Sequence, residues 1–134
     1  MPKAIKKRRK RKGHYNRGTY VSLKTGQICK HRSGWELSYM KWLDENVDVF
    51  TWSYEKVIIP YMSNAKTKKM RKYYPDFLVE YVDGHSELIE IKPLRRVHQV
   101  KVQKKLLAAS DWCRAHSSTL KIVSELELKG LGLL

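Results

Sequence analysis

Phe77 to Tyr81 and Ser86 to Lys92 are two short runs rich in apolar residues, separated by Asp83-Gly84, a strong signal for a tight turn between antiparallel strands. A chain with such a hairpin is committed to a sheet that other elements must cover. Side chains alternate between the faces of a strand, so Glu90 and Lys92 point one way while Ile89 and Ile91 enter the opposite layer. An acid and a lysine therefore share one face, beside the Asp76 of Tyr74-Pro75-Asp76-Phe77.

Phosphodiester hydrolysis would use those residue types together. Hard divalent cations prefer oxygen ligands, so Asp76 and Glu90, with the backbone carbonyl of Ile91, could hold one or two ions such as Mg²⁺ or Mn²⁺. Lys92 could orient an attacking water or stabilise charge developing on the phosphate. The plainer alternative is a solvated hairpin with ordinary polar positions.

A third acid bears on the choice. Ser33 reads as the N-cap of a helix running through Gly34-Trp35-Glu36-Leu37-Ser38-Tyr39-Met40-Lys41-Trp42-Leu43, whose apolar residues recur at helical spacing. Glu36 precedes Tyr39, Met40 and Leu43 by three, four and seven positions, which sets its carboxylate on the apolar side. Ser33 and Glu36 also have the Ser-x-x-Glu spacing of a capping box, a purely structural role. The two roles compete for one carboxylate.

These segments resemble the PD-(D/E)XK nuclease superfamily: a helix with Glu36, a hairpin with Pro75-Asp76, then Glu90-Ile91-Lys92. More narrowly, Arg32-Ser33-Gly34-Trp35-Glu36, Met40-Lys41, Val57-Ile58-Ile59-Pro60-Tyr61, Tyr74-Pro75-Asp76-Phe77 and Ile89-Glu90-Ile91-Lys92-Pro93 are similar to the head-completion nucleases of large contractile-tailed phages. The TnsA-type transposase endonuclease subunit is similar over the nuclease motifs. The resemblance implies a restriction-endonuclease-like mixed β-sheet flanked by helices. It also implies Asp76 and Glu90 as metal ligands, Lys92 as the catalytic lysine and Glu36 as the helix acid.

Charge agrees with a nucleic-acid partner. The 134 residues carry a formal net charge of +15. Eight of the first twelve residues are Lys or Arg, and the remaining 20 basic residues still outnumber 13 acidic ones. Basic side chains attract phosphate backbones largely without regard to sequence. Lys6, Lys7, Arg8, Arg9, Lys10, Arg11 and Lys12 form one candidate DNA-binding run, and Lys68, Lys69, Arg71 and Lys72 a second, just before the hairpin. The expected organisation is a basic, disordered arm over residues 1–17 and one nuclease domain over residues 18–134. With no secretory signal or transmembrane stretch, the expectation is a cytoplasmic protein of an infected host cell, also compatible with the virion, and no membrane partner.

The remaining elements are read more coarsely. Val57 to Tyr61 reads as a strand with Pro60 at an edge, Ser63 to Lys72 as a polar basic loop, and Thr119 to Leu126 as a last strand before a Gly130 to Gly132 tail. Val97 to His116 reads as a helix, because Val102, Leu106, Ala109 and Cys113 form one stripe. From that helix Lys101 and Gln103 could support the site. The order is then a helix, three strands, a helix and a final strand that joins in parallel. Cys29, His31, Cys113 and His116 could supply four zinc ligands, but two lone cysteines are more simply reduced thiols.

Two function classes follow. One is a Mg²⁺-dependent DNA endonuclease acting in phage genome packaging or head completion, with phage head or portal proteins as further partners, or a transposon-end endonuclease subunit. The other is a non-catalytic DNA-binding or virion-assembly protein. Cutting both strands of a duplex would call for two sites, hence a homodimer or two sequential events.

Overall fold

The computed structural model describes residues 17–134. The expected arm and its basic run from Lys6 to Lys12 fall almost wholly outside these residues. A four-stranded mixed sheet forms the centre, in the order β3 (Val49–Tyr54), β6 (Phe77–Tyr81), β7 (Ser86–Ile91), β8 (Thr119–Val123). β3 and β6 pair antiparallel, as do β6 and β7, whereas β8 lies parallel to β7. Two antiparallel ribbons stand outside it: β1 (Gly18–Val21) with β2 (Ile28–His31), and β4 (Ile59–Asn64) with β5 (Lys69–Tyr73). The helices are α1 (Gly34–Glu45), α2 (Leu94–Val97), α3 (Val100–Ala115) and α4 (Glu125–Gly130).

The hairpin forms where the sequence places it. Gly84 turns at a φ of +94°, a region open to glycine, and the Asp83 carboxylate accepts from the His85 N–H at 3.0 Å. Alternation along β7 then divides the core in two. Ile89 and Ile91 pack with Phe77, Val79 and the α1 residues Tyr39, Met40 and Leu43. On the other face Leu88 packs with Ile59, Tyr61 and Tyr73 of the second ribbon and with Ala109 and Cys113 of α3. Burying β7 on both faces makes it the rigid centre on which a site can be built.

Four expectations need correction. The segment from Ser63 to Lys72 is not a loop: β4 runs to Asn64, and β5 returns beside it with Tyr61 opposite Arg71. A ribbon needs only one covered face, supplied here by Ile59, Tyr61 and Tyr73, so its other side chains, mostly polar apart from Pro60, Met62 and Met70, stay exposed and hide the strand. Pro60 is tolerated because this ribbon lies apart from the central sheet. The strand expected to reach Leu126 ends at Val123, where Ser124 caps α4: its N–H donates to Glu127 at 2.7 Å and its Oγ accepts from the Leu126 N–H at 3.2 Å. The helix expected from Val97 divides into α2 and α3 at His98–Gln99. Finally, β1, β2 and β3 add to the expected elements, and β3 rather than β4 is the third strand of the antiparallel part of the sheet.

Candidate active site

The register Phe77↔Ile89 brings Asp76 opposite Glu90, on the face of β7 that also carries Leu88. Pro75, itself buried, feeds Asp76 into β6. Asp76 is 9% exposed and Glu90 5%, an uncommon depth for two facing carboxylates. One donor reaches Asp76: the Ile91 N–H bonds its Oδ2 at 2.7 Å. Lys92 continues past β7, fixed by its own N–H to the Val123 carbonyl at 3.0 Å, and lines the same cavity of about 390 Å³ as Asp76, Glu90 and Glu36.

Glu36 enters from the first turn of α1. The Ser33 Oγ caps that turn by accepting the Glu36 N–H at 3.1 Å. The return half of the expected capping box is displaced by one residue, for the Glu36 Oε1 accepts from the Arg32 N–H at 3.1 Å and not from Ser33. The same oxygen accepts from the Tyr54 hydroxyl at 2.6 Å. Both bonds fall on Oε1, so helix capping and a place at the cavity coexist in one side chain.

The electrostatics follow from crowding acids under cover. Burial pushes Asp76 well above the ordinary carboxylate range, and the charges of Glu90 and Glu36 add to this against the Ile91 N–H and Lys92. Burial likewise pushes Glu90 up to about 7, although Lys92, Tyr73 and Lys105 favour its ionised form. Two such groups titrate as a unit, and without a cation between them they hold a proton readily. The Tyr73 hydroxyl, inside the fold beside Glu90, is near enough to favour its charge yet lacks the geometry of a hydrogen bond, leaving a buried polar atom without a partner.

The structure gathers Glu36, Asp76, Glu90, Ile91, Lys92 and Lys72 at one cavity. Lys69, Arg71 and Lys101 line an adjoining groove instead, and Lys68 is exposed on the ribbon's turn. Gln103 turns away, its Nε2 donating to the Val97 carbonyl at 2.6 Å. Lys105 is the α3 residue that lines the cavity, with its Nζ 5.8 Å from the centre of the Tyr73 ring. Tyr73, Lys105, Arg96 and Glu55 are cavity residues beyond those expected from the sequence. Lys105 follows Lys101 by one helical turn, which is the signal that could have found it. Glu55 sits at a left-handed φ of 52°, its N–H on the Asp76 carbonyl at 2.9 Å and its carboxylate paired with Arg32 at 3.0 Å.

Zinc is a different matter. Cys29 packs in the α1 core and Cys113 in the α3 core, on opposite faces of the sheet. His116 stacks on Trp112. Among the described residues no three His, Cys, Asp or Glu side chains form a ready-made metal cage. Burial pushes the Cys29 thiol up to about 11, as expected of an inert core cysteine.

A mixed sheet in which Pro-Asp enters one central strand and Glu-x-Lys leaves the next is the frame of the PD-(D/E)XK nuclease class, and the chain has that form. Residues 46–125 match the family described as TnsA-like endonuclease N terminal, and the chain belongs to that family. Asp76, Glu90 and Lys92 lie inside the matched span, and Glu36 precedes it. Over 63 residues the chain is also 41% identical to the head completion nuclease of Enterobacteria phage T4. That stretch is 47% of this chain and 41% of the phage protein, so the match spans less than half of either.

Proposed function

We propose that the protein is a metal-dependent DNA endonuclease that hydrolyses phosphodiester bonds, processing phage DNA during packaging or head completion. The observation that carries this reading is the facing pair Asp76 and Glu90, buried, short of donors and adjoined by Lys92 in an open cavity. A fold gains nothing from burying two neighbouring carboxylates with so few donors. A divalent cation would compensate them, and an all-oxygen donor set with a main-chain group suits Mg²⁺ or Mn²⁺. Mg²⁺ keeps several waters and takes one or two carboxylates, so Asp76 and Glu90 would suffice for it. Bound there, the ion would supply Lewis-acid polarisation and a more acidic water.

The chain's own residues do the rest. Asp76, Glu90 and the Ile91 backbone would hold the ion, and Glu36 would bias the water or metal shell from the helix side. Lys92 would neutralise charge accumulating on the scissile phosphate, while Lys72 and Arg96 at the rim orient its neighbours. The likeness to a head completion nuclease supports a role at the phage head, with head or portal proteins as partners. A purely binding protein has no use for carboxylates facing a phosphate backbone.

The test is purified protein incubated with circular, linear and branched DNA, with Mg²⁺, with Mn²⁺ and with chelator. Metal-dependent cleavage that disappears in Asp76→Asn supports the proposal. Intact DNA under every condition, or equal cleavage by wild type and Asp76→Asn, would overturn it.

A further inference from the structure

The cavity that holds the carboxylates shares Lys105 with a second groove, of about 720 Å³, between the β4–β5 ribbon and α3. Lys69 and Arg71 line it from the ribbon, and Lys101, Lys104 and Lys105 from the helix. No acidic residue lines it. None of the five cations belongs to an ion pair among the described residues. Lys104 ties the two walls together, its Nζ donating to the Ser63 carbonyl at 2.9 Å, and an ammonium has two further protons to offer. Lys105 lines both cavities, and its ammonium is pushed down by burial and by the neighbouring charges of Lys92, Lys101 and Arg96.

A solvated basic face would spread its charges over convex surface, where water and counterions screen them. Here like charges converge in a concavity, with Lys104 and Lys105 half-buried. That arrangement costs the fold energy and is relieved by an anion with several regularly spaced charges. DNA presents one phosphate about every 3.4 Å along each strand, and the groove adjoins the cavity of the carboxylates at Lys105.

We propose that the groove between the β4–β5 ribbon and α3 seats the phosphodiester backbone of the DNA strand as it leaves the cleavage site. The substrate must then continue for several nucleotides beyond the scissile phosphate on the ribbon side. This rests on the nuclease reading and adds to it a direction and a length requirement. Lys101, Lys104 and Lys105 become strand-positioning residues, a role different from that of Lys92 at the reacting phosphate.

The test uses the full chain and separates binding from cleavage. Affinity for a short labelled DNA duplex is measured against salt in the Asp76→Asn background without metal, with and without the pair Arg71→Ala and Lys101→Ala. Both side chains are exposed, and Lys129→Ala on α4 serves as the control. The paired change should weaken binding roughly tenfold and reduce the salt slope by about 1.8, or 0.9 for each phosphate no longer neutralised, while Lys129→Ala leaves both unmoved. In the cleavage-competent protein the pair should raise KM with kcat held within about twofold. It should also abolish the penalty for trimming the duplex on one side of the cut. An unchanged salt slope and KM in a protein that cleaves would overturn the groove and leave the nuclease standing. A reduced slope in a protein that never cleaves would uphold the groove as a DNA-backbone seat and remove the nuclease.

Discussion

Asp44 and Asp76 are two carboxylates drawn into the same fold and treated in opposite ways. Asp44, in the last turn of α1, collects four donors: the hydroxyls of Tyr20 and Ser22 at 2.5 and 2.6 Å, the Trp52 indole at 2.8 Å and the Leu23 N–H at 2.9 Å. A negative charge at a helix C-terminus opposes the helix dipole, and these donors outweigh that cost. Burial pushes its pKa up, but the bonds from Ser22, Tyr20 and Trp52 bring it below the ordinary value. Asp76 has one donor and two acidic neighbours, and its pKa goes up. One carboxylate is neutralised by the fold and joins the β1–β2 ribbon to the sheet. The other keeps its electrostatic cost, which the proposed cation would offset. Asp44 is half-buried and well supplied with donors, whereas Asp76 is buried with one. Burial with few donors is what makes Asp76 the candidate.

That contrast can be broken at either end. The largest effect should come from Asp76→Asn or Glu90→Gln, with cleavage falling by roughly 10³-fold or more while thermal stability holds or rises. A marked loss of stability would put Asp76 in the same structural role as Asp44. Conversely, Asp44→Ala strands four donors and should cost about 2–4 kcal/mol in denaturant unfolding, with kcat per folded molecule within about twofold of wild type because the site is untouched. Lost cleavage with unchanged stability would invert the comparison.

Glu36 lies between these extremes and should show it. Glu36→Gln keeps both acceptor bonds to Oε1 in kind but loses the charge, so cleavage should slow by about tenfold or more with unfolding shifted by no more than roughly 0.5 kcal/mol. Normal cleavage would leave Glu36 as helix capping alone. The smallest effect is the pH dependence of metal-free stability. Asp76 and Glu90 have folded pKa values above their unfolded ones, so the folded state binds more protons and stability falls as pH rises through the interval from the ordinary carboxylate range to about 7. Asp44 has the opposite sign: its contribution is present above its unfolded pKa and is lost as pH drops through the lower folded value. Unfolding curves from pH 4 to 8 should flatten over the upper interval in the Asp76→Asn, Glu90→Gln double variant, and saturating Mg²⁺ should flatten them in wild type as well.

What the sequence disclosed tracks how local each signal is. The β6–β7 hairpin, the buried stripe of α3 and the Ser33 cap of α1 are each written within a few residues. β3 escaped because a bulge between Val49 and Thr51 breaks its alternation, so its buried positions fall at Val49, Trp52 and Tyr54. β5 escaped because Tyr73 alone among its residues is buried. The start of α4 was legible in principle, for Ser124 and Glu127 repeat the spacing that identified α1. At the site the acids and Lys92 could be gathered from one hairpin and one helix, whereas Tyr73 and Lys105 meet Glu90 only because the ribbon and α3 cover the same face of β7. The Asp44 donors lie 8 to 24 positions away, beyond any local pattern.

The parallel pairing of β7 with β8 has a consequence for how the protein is made. β7 ends at Ile91 and its partner begins at Thr119, so β7 is synthesised 28 residues, about 1.5–6 s at common elongation rates, ahead of the strand that covers it. Once outside the ribosome and until β8 docks, its outer edge, Leu88-Ile89-Glu90-Ile91, is open to pairing with other chains. Still in water, Glu90 is ionised, and a charge within an apolar strand discourages such association. The carboxylate proposed for cleavage thus guards its own strand before the fold closes, and Glu90→Gln should raise the aggregated fraction during rapid expression even though the finished fold tolerates it.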